Sequence, residues 1–381
     1  MNSFDTIPNL QTPIYICEEE LLERNLQTLA DIAERADIKV LLALKGYAYF
    51  PSFPFVQKYL SGACASGLNE AKLAREEIGK EVHTYSPAFK AEQIQEIAKL
   101  SNHLVFNSIA QLQAFASSAK EANPNLSLGL RVNPEMSFAS DELYNPCGLH
   151  SRFGVTKKHF NPSVLPLIDG LHMHALCEQN SFALEKVLDE LVIRFGEYFS
   201  QIKWLNLGGG HWLTHADYDK EHFIKTMRNL HDKFPHLQIY IEPGEAIGWQ
   251  CGVLVSRVLD IVENEMQIAI LDTSAEAHMP DVLAMPYRPM VRGSGIVAEK
   301  MHTYKLSGNT CLSGDIIGDY SFDKPLQIGD LVVFEDMMHY SIVKNTTFNG
   351  IDLPSIGMLY KNGELEITKT FGYDDYKNRL G

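Results

Sequence analysis

From Lys39 to Glu242 the chain repeats one pattern: a short apolar run, then a longer segment with apolar residues at helical spacing. The apolar runs fall at 39–44, 63–66, 81–85, 103–106, 127–132, 170–175, 203–207 and 238–242, and the helical segments at 18–36, 69–79, 90–99, 109–120, 182–199 and 219–233. Strands that alternate with helices pair in parallel, because each helix supplies the crossover that a parallel pair needs. Eight such strands is the count of a (β/α)8, TIM-like barrel. A doubly wound sheet also alternates. The barrel is favoured because the chemically distinctive residues Lys45, His174, Gly208 to Gly210 and Glu242 to Gly244 all follow strand C-termini. Barrel active sites form at that end.

The rhythm changes after residue 246. Segments 250–261, 266–272, 301–306, 330–334 and 354–368 read as strands punctuated by Gly, Pro and Asn, the mark of a separate all-β domain, a barrel or sandwich. The expected organisation is a barrel over 18–245 and a β-domain over 246–381. The early strand at 12–17, within residues 1–17, is expected to pack onto the β-domain.

Composition excludes several classes. A formal charge of −15 makes nucleic acid a poor partner, since phosphate binding needs clustered Lys and Arg. It would attract a cationic small molecule. The six cysteines are widely spaced with no CxxC pair, which argues against zinc or a disulfide framework and suits a reducing cytoplasm. No apolar run is long enough to span a bilayer, and the N-terminus has no basic segment followed by an apolar one. The expectation is a cytoplasmic enzyme that binds neither membrane nor metal.

Lys45 leaves the buried strand VLLAL. A lysine there must find a partner or lose its charge, and a neutral amine suits Schiff-base chemistry. The run LNLGGG at 205–210 exposes backbone N–H groups to which a phosphate could come close. It has neither the GxGxxG spacing nor the GK[ST] ending of nucleotide sites. Glu242 emerges from an apolar strand in IYIEPGEAIG. A carboxylate there could keep a pyridinium nitrogen protonated, or belong to a structural ion pair. His174 ends the sixth strand, with His172 on the same face. A ring at His174 could stack on a flat cofactor. The HxH spacing also fits metal, but no third ligand supports it. The turn-rich loop GNTCLSGD carries Cys311 and Asp315, and a cysteine in such a loop could donate a proton.

Taken in order, these pieces resemble the fold-type III pyridoxal 5'-phosphate (PLP) decarboxylases, which include ornithine, diaminopimelate and carboxynorspermidine decarboxylases. The resemblance runs through ACASGLNEA (63–71), LRVNP (130–134), SRFGV (151–155), HMHAL, LNLGGG, EPGEA, CLSGD and HYSIVKNTTFNG (339–350). It implies that Lys45 holds the cofactor and His174 stacks on its ring. It also implies that Gly208, Gly209, Gly210 and Gly244 cradle the phosphate, that Glu242 meets the pyridine nitrogen, that Tyr340 reaches the phosphate and that Arg131 lies near the cofactor. Cys311 matches the residue that protonates the α-carbon. In the family it comes from the neighbouring subunit, so a homodimer with shared sites is implied.

The departures bear on substrate. The family's HxxS serine is Cys177 here, and the EPGR arginine is Glu245. In diaminopimelate decarboxylases that arginine recognises a distal carboxylate. A glutamate repels a carboxylate and welcomes an amine. Segment 275–289, AEAHMPDVLAMPYRP, resembles the carboxynorspermidine/carboxyspermidine decarboxylases of polyamine (norspermidine and spermidine) biosynthesis. For such a substrate, Glu245, Asp281, Asp315 and Glu178 are the candidate acids. Alternatives are decarboxylation of diaminopimelate or ornithine, or amino-acid racemisation on the same fold.

Overall fold

The structure is a computed structural model that describes residues 10–139 and 142–381, with Phe4 and Ile7. The chain divides into two compact units, Arg24–Ile247 and a second made of Met1–Glu23 with Gly248–Gly381.

The first strand, β1 (Ile14–Glu18), belongs to the second unit, and helix α1 (Glu19–Ala36) carries the chain into the first. There β2 (Lys39–Ala43), β3 (Gly62–Ala65), β4 (Glu81–Tyr85), β5 (His103–Phe106) and β6 (Ser127–Asn133) follow, with the two-residue β7 (Val155–Thr156) beside β6. The strands β8 (Gly170–His172), β9 (Trp204–Asn206) and β10 (Gln238–Ile241) complete the set. Neighbours pair in parallel in the order β2, β3, β4, β5, β6, β8, β9, β10, and β10 pairs with β2. The ring of eight is therefore closed, as the alternation implied.

Closure leaves no edge strand, and side chains at every second position of each strand fill the interior. Leu41, Val105, Trp204 and Tyr240 form one buried interior cluster. The Trp204 indole lies across Gly170 on the neighbouring strand and reaches Gly129 on the next, and a Cβ at either position would strike it. The helix Phe53–Tyr59 (FPFVQKY) was not legible, because its aromatic run and Pro54 hide helical periodicity.

The second unit holds β11 (Gly252–Asn264), β12 (Met266–Leu271), β13 (His302–Ser307), β14 (Ile316–Phe322), β15 (Leu331–Glu335), β16 (Ser355–Leu359) and β17 (Leu365–Lys369). With β1 they form one sheet in the order β14-β13-β12-β11-β1-β16-β17, and β15 also pairs with β11. β1 lies antiparallel to β11 and parallel to β16. Ile14 and Ile16 pack with Val253, Val255 and Val333.

Two strand readings change. The apolar stretch 354–368 is a hairpin, not one strand. Asn362-Gly363 turns the chain, with Gly363 at φ +84°, and Asn-Gly is a strong hairpin signal. β14 was missed because Gly318, at φ +155°, interrupts the apolar alternation of IIGDYSF. The closing helix Tyr373–Leu380 has no buried residue, so it carries no apolar face to read.

Candidate active site

The C-terminal ends of β2, β8, β9 and β10 bring Lys45, His174, Gly208 to Gly210 and Glu242 to one end of the barrel. Lys45 lies two residues past β2. Its side chain is accessible, yet the protein around it lowers its pKa, first by burial and then through Arg131, against the pull of Cys64 and Glu242. The shift favours the neutral amine, the form that can attack a carbonyl.

Glu242 is the best-held charge at this end. Asn206 Nδ2 donates to its Oε1 at 2.7 Å, and His172 Nε2 lies 3.3 Å from its Oε2. Burial works against the carboxylate, but His172, His83 and Asn206 outweigh it and bring the pKa down to about 2. His172 is itself held. Tyr85 stacks on it at 5.2 Å between ring centroids, and the Arg131 guanidinium sits 4.8 Å from the Tyr85 ring. Burial keeps His172 neutral by lowering its pKa. Its Nε2–H then donates to Glu242, which leaves Glu242 an acceptor and not an acid.

His174 is oriented by backbone. The Gly209 N–H donates to its Nδ1 at 3.0 Å, so Nε2 carries the proton, and Arg131 Nη2 donates to the His174 carbonyl at 3.0 Å. Arg131 is buried and thus acts here through His174 and Tyr85.

The glycine turn works differently from a plain row of phosphate-binding amides. Gly208 N–H donates to Asn206 Oδ1 at 2.9 Å and Gly209 N–H to His174. Both amides are taken, which leaves Gly210 as the one of the three whose amide no described residue engages. What demands glycine at all three positions is packing. A Cβ at Gly208 would meet the Met173 carbonyl, at Gly209 the Glu242 carbonyl and at Gly210 the Leu176 carbonyl. Gly208 and Gly210 also have φ of +69° and +85°. Gly244 and Gly46 press together, since a Cβ on Gly46 would lie 3.0 Å from the Gly244 Cα.

Two of the expected acids join this end. Glu178 and Glu245 both push up the Cys177 thiol, which burial has already raised, to about 11. Cys177 therefore stays a thiol, within the field of two carboxylates. Glu178 adopts φ +51°, a conformation uncommon outside glycine.

The remaining expected residues lie in the second unit. Cys311 is exposed, and its N–H donates to Asn349 Oδ1 at 2.5 Å. Asp315, expected as a substrate acid, is engaged within its own unit. It is buried, Oδ1 accepts from Ala275 N–H at 2.7 Å, and Oδ2 accepts from Thr310 Oγ1 at 2.6 Å. Its charge is spent on fixing the loop that carries Cys311. Asp281 is paired with Lys344 Nζ at 2.7 Å, and the same ammonium lies 5.3 Å from the Tyr340 ring.

His172, Asn206 and Tyr85 were not among the expected site residues. Their signal was a polar or aromatic side chain inside an apolar strand, on the inward face.

The barrel and this end of it define a class: an enzyme offering an amine, a flat-ring stacking partner, a buried carboxylate and a glycine turn to a phosphate-bearing heterocycle. The residues fit pyridoxal phosphate, because Glu242 is ionised and buried, Lys45 is accessible with a lowered pKa, and a Cβ at any cradle glycine would collide. A family model described as "Pyridoxal-dependent decarboxylase, C-terminal sheet domain" matches residues 14–338. The chain belongs to the pyridoxal-dependent decarboxylase family, and its cofactor is pyridoxal phosphate. It is 51% identical over 381 residues to a carboxynorspermidine/carboxyspermidine decarboxylase of Campylobacter jejuni, covering 97% of this chain and 98% of the relative. It is 48% identical to a carboxyaminopropylagmatine decarboxylase of Synechocystis, covering 98% and 97%. A crystal structure of carboxynorspermidine decarboxylase complexed with norspermidine, from Campylobacter jejuni, superposes with a TM-score of 0.91 at 49% identity, covering 97% of this chain and 100% of that one.

Proposed function

We propose that the protein decarboxylates carboxynorspermidine, carboxyspermidine or both, yielding norspermidine and spermidine in polyamine biosynthesis. The full-length likeness to the Campylobacter jejuni enzyme carries this reading. Glu178 and Glu245 beside Cys177 support it, because a carboxylated polyamine is cationic at its far end and carboxylates there attract amines.

Bound pyridoxal phosphate supplies the electron sink for loss of carbon dioxide. The chain's residues do the rest. Lys45 would hold the cofactor through Nζ, its lowered pKa favouring the neutral amine that such a bond needs. Glu242, held ionised by His172 and Asn206, would accept a hydrogen bond from the ring nitrogen and so favour its protonated form. His174 presents an imidazole whose tautomer Gly209 fixes. Gly210 and Gly244 would line the phosphate cradle, and Tyr340 is the residue to which the family resemblance gives a further phosphate contact. Gly208 and Gly209 shape the cradle. Cys311 delivers a proton to the α-carbon after the carboxylate departs.

Cys311 serves this role from a second copy of the chain in a homodimer. Exposed Met290, Ile296, Val297, Met301 and Leu312 in the sheet unit support such an association. No helix among the described residues is long and apolar enough to cross a membrane, and the six cysteines are free thiols, in keeping with a cytoplasmic enzyme.

The test is a comparison of kcat/KM for carboxynorspermidine, carboxyspermidine, carboxyaminopropylagmatine, ornithine and diaminopimelate. A carboxylated triamine should be best. If ornithine or diaminopimelate led, the substrate reading would fail. A lead for carboxyaminopropylagmatine would move the protein beside its Synechocystis relative.

A further inference from the structure

The opposite end of the same barrel holds a second cluster of ionisable side chains, of which only His83 acts on the first site, through its field at Glu242. Glu81 opens β4, His83 follows two residues later on the same face, and His103 opens β5. One ligand-type atom from each lies within 4.8 Å of the others. His83 is 1% exposed, and neither of its ring nitrogens makes a hydrogen bond to a described residue. His103 Nδ1 and Glu81 Oε2 are likewise buried without one.

Groups of this kind are costly to bury unpaired. The spacing suggests why they stay unpaired. His83 Nε2 lies 3.5 Å from Glu81 Oε2, without hydrogen-bond geometry. Two ligands of one tetrahedral ion with bonds of about 2.0–2.1 Å stand roughly 3.4 Å apart. The carboxylate is ionised. Burial opposes its charge, but His83 and Lys39 bring the pKa down to about 2, and Lys39 Nζ holds the other oxygen. His103 is neutral, its pKa brought to about 3 by burial and then by His83, so its lone pair is available. Trp204 and Tyr240 wall the cluster, with ring centroids 4.8 Å from His103 and 4.6 Å from His83 respectively.

We infer that Glu81, His83 and His103 form a binding site for a divalent transition ion of zinc-like preference, tying β4 to β5 at the N-terminal end of the barrel. Two imidazoles and one carboxylate are a zinc donor set, with a fourth position for water. The imidazoles now lie face to face, 3.9 Å apart with 11° between their planes. One ring turns about its broad χ2 torsion to bring its nitrogen to the ion. Lys39 and the Tyr240 ring stand behind the ligands as the outer shell that orients them.

The test uses tag-free, full-length holoenzyme dialysed against chelator. Zinc titration followed by calorimetry should show one ion per chain, and zinc X-ray absorption should show imidazole and carboxylate ligation. His103→Gln and Glu81→Gln should each weaken that binding about 10-fold or more. A thermal midpoint raised by zinc in the parent should not rise in either variant. Should His103→Gln fail to fold, Glu81→Gln, which keeps side-chain volume, reads the same outcome. The inference is overturned if the parent binds no zinc, if the bound zinc shows no imidazole, or if both soluble variants bind as tightly as the parent. None of these readings depends on which substrate is decarboxylated.

Discussion

The two ends of the barrel use the same parts to opposite effect. β4 carries Glu81, His83 and Tyr85 along one inward face, and β10 with its following residue carries Tyr240 and Glu242. At the N-terminal end a carboxylate sits beside His83 at 3.5 Å, with buried nitrogens left over. At the C-terminal end a carboxylate sits beside His172 at 3.3 Å, and Asn206 completes it at 2.7 Å. Both carboxylates are held at about 2. An ionised, partly buried carboxylate next to a histidine is thus not by itself a catalytic mark. What separates the ends is what lies within reach: an accessible amine and a glycine turn at one, a lysine ion pair and aromatic walls at the other.

The sharpest way to break the comparison is to remove the amine. Lys45→Ala should lower decarboxylation by about 10⁴-fold, the scale of losing a covalent nucleophile, and abolish the bound cofactor's visible absorbance. Survival of that band would remove Lys45 from its role. Next, Glu242→Gln keeps shape but removes the charge. It should cost about 10²–10³-fold in kcat, whereas Glu81→Gln should leave kcat within about twofold. Equal losses would erase the distinction between the two ends.

His172→Phe should have a smaller effect, about 10-fold, as expected for a residue that holds a functional group in place. Its signature is spectroscopic: a shifted pH titration of the cofactor absorbance, because the Glu242 carboxylate loses one of the groups that lower its pKa. A purely structural role would lower stability and leave that titration in place. In the sheet unit, Asp315→Asn should lower stability by about 1–3 kcal/mol, since charge-assisted bonds to buried amides are lost. It should also raise the reactivity of Cys311 toward thiol reagents.

A further effect, spread over several groups and small for any one of them, is one of pH. Burial brings His103 to about 3, with His83 adding to the shift, and brings His211 and His278 to about 4. The unfolded chain takes up those protons below about 6.5 and the folded one does not, so stability falls as pH drops from about 6.5 toward 4. Each group contributes about 1–2 kcal/mol of that fall by pH 5. Glu81 and Glu242, both lowered, stabilise the fold above about 4.5 and lose that contribution only as pH falls toward 2. Urea unfolding at pH 7.5 and pH 5 should show the loss, and His103→Gln should make it shallower. An equal fall in that variant would remove His103 from the account.

Much of this was legible in the sequence. Strand and helix alternation yields a closed parallel ring because parallel strands need crossovers and the ring hides its edges. Lys45, His174, the glycines and Glu242 were legible because each is an exception at the end of an apolar strand. The Asn362-Gly363 turn was readable and passed over inside an apolar stretch. The helix at 53–59 had no periodicity to show.

The division between sequence and tertiary structure is clearest at the glycine turn and at the acids. Sequence alone determined that three glycines follow a strand, and that acids stand at 178, 245, 281 and 315. Only the fold decided that two of the three glycine amides are spent on Asn206 and His174. Only the fold decided that Asp315 bonds to Thr310 of its own loop and to the Ala275 amide, and that Asp281 pairs with Lys344. The reason is physical. A residue type fixes which bonds a group can make, but whether a bond remains for a ligand depends on which neighbours reach it first, and those come from distant parts of the chain.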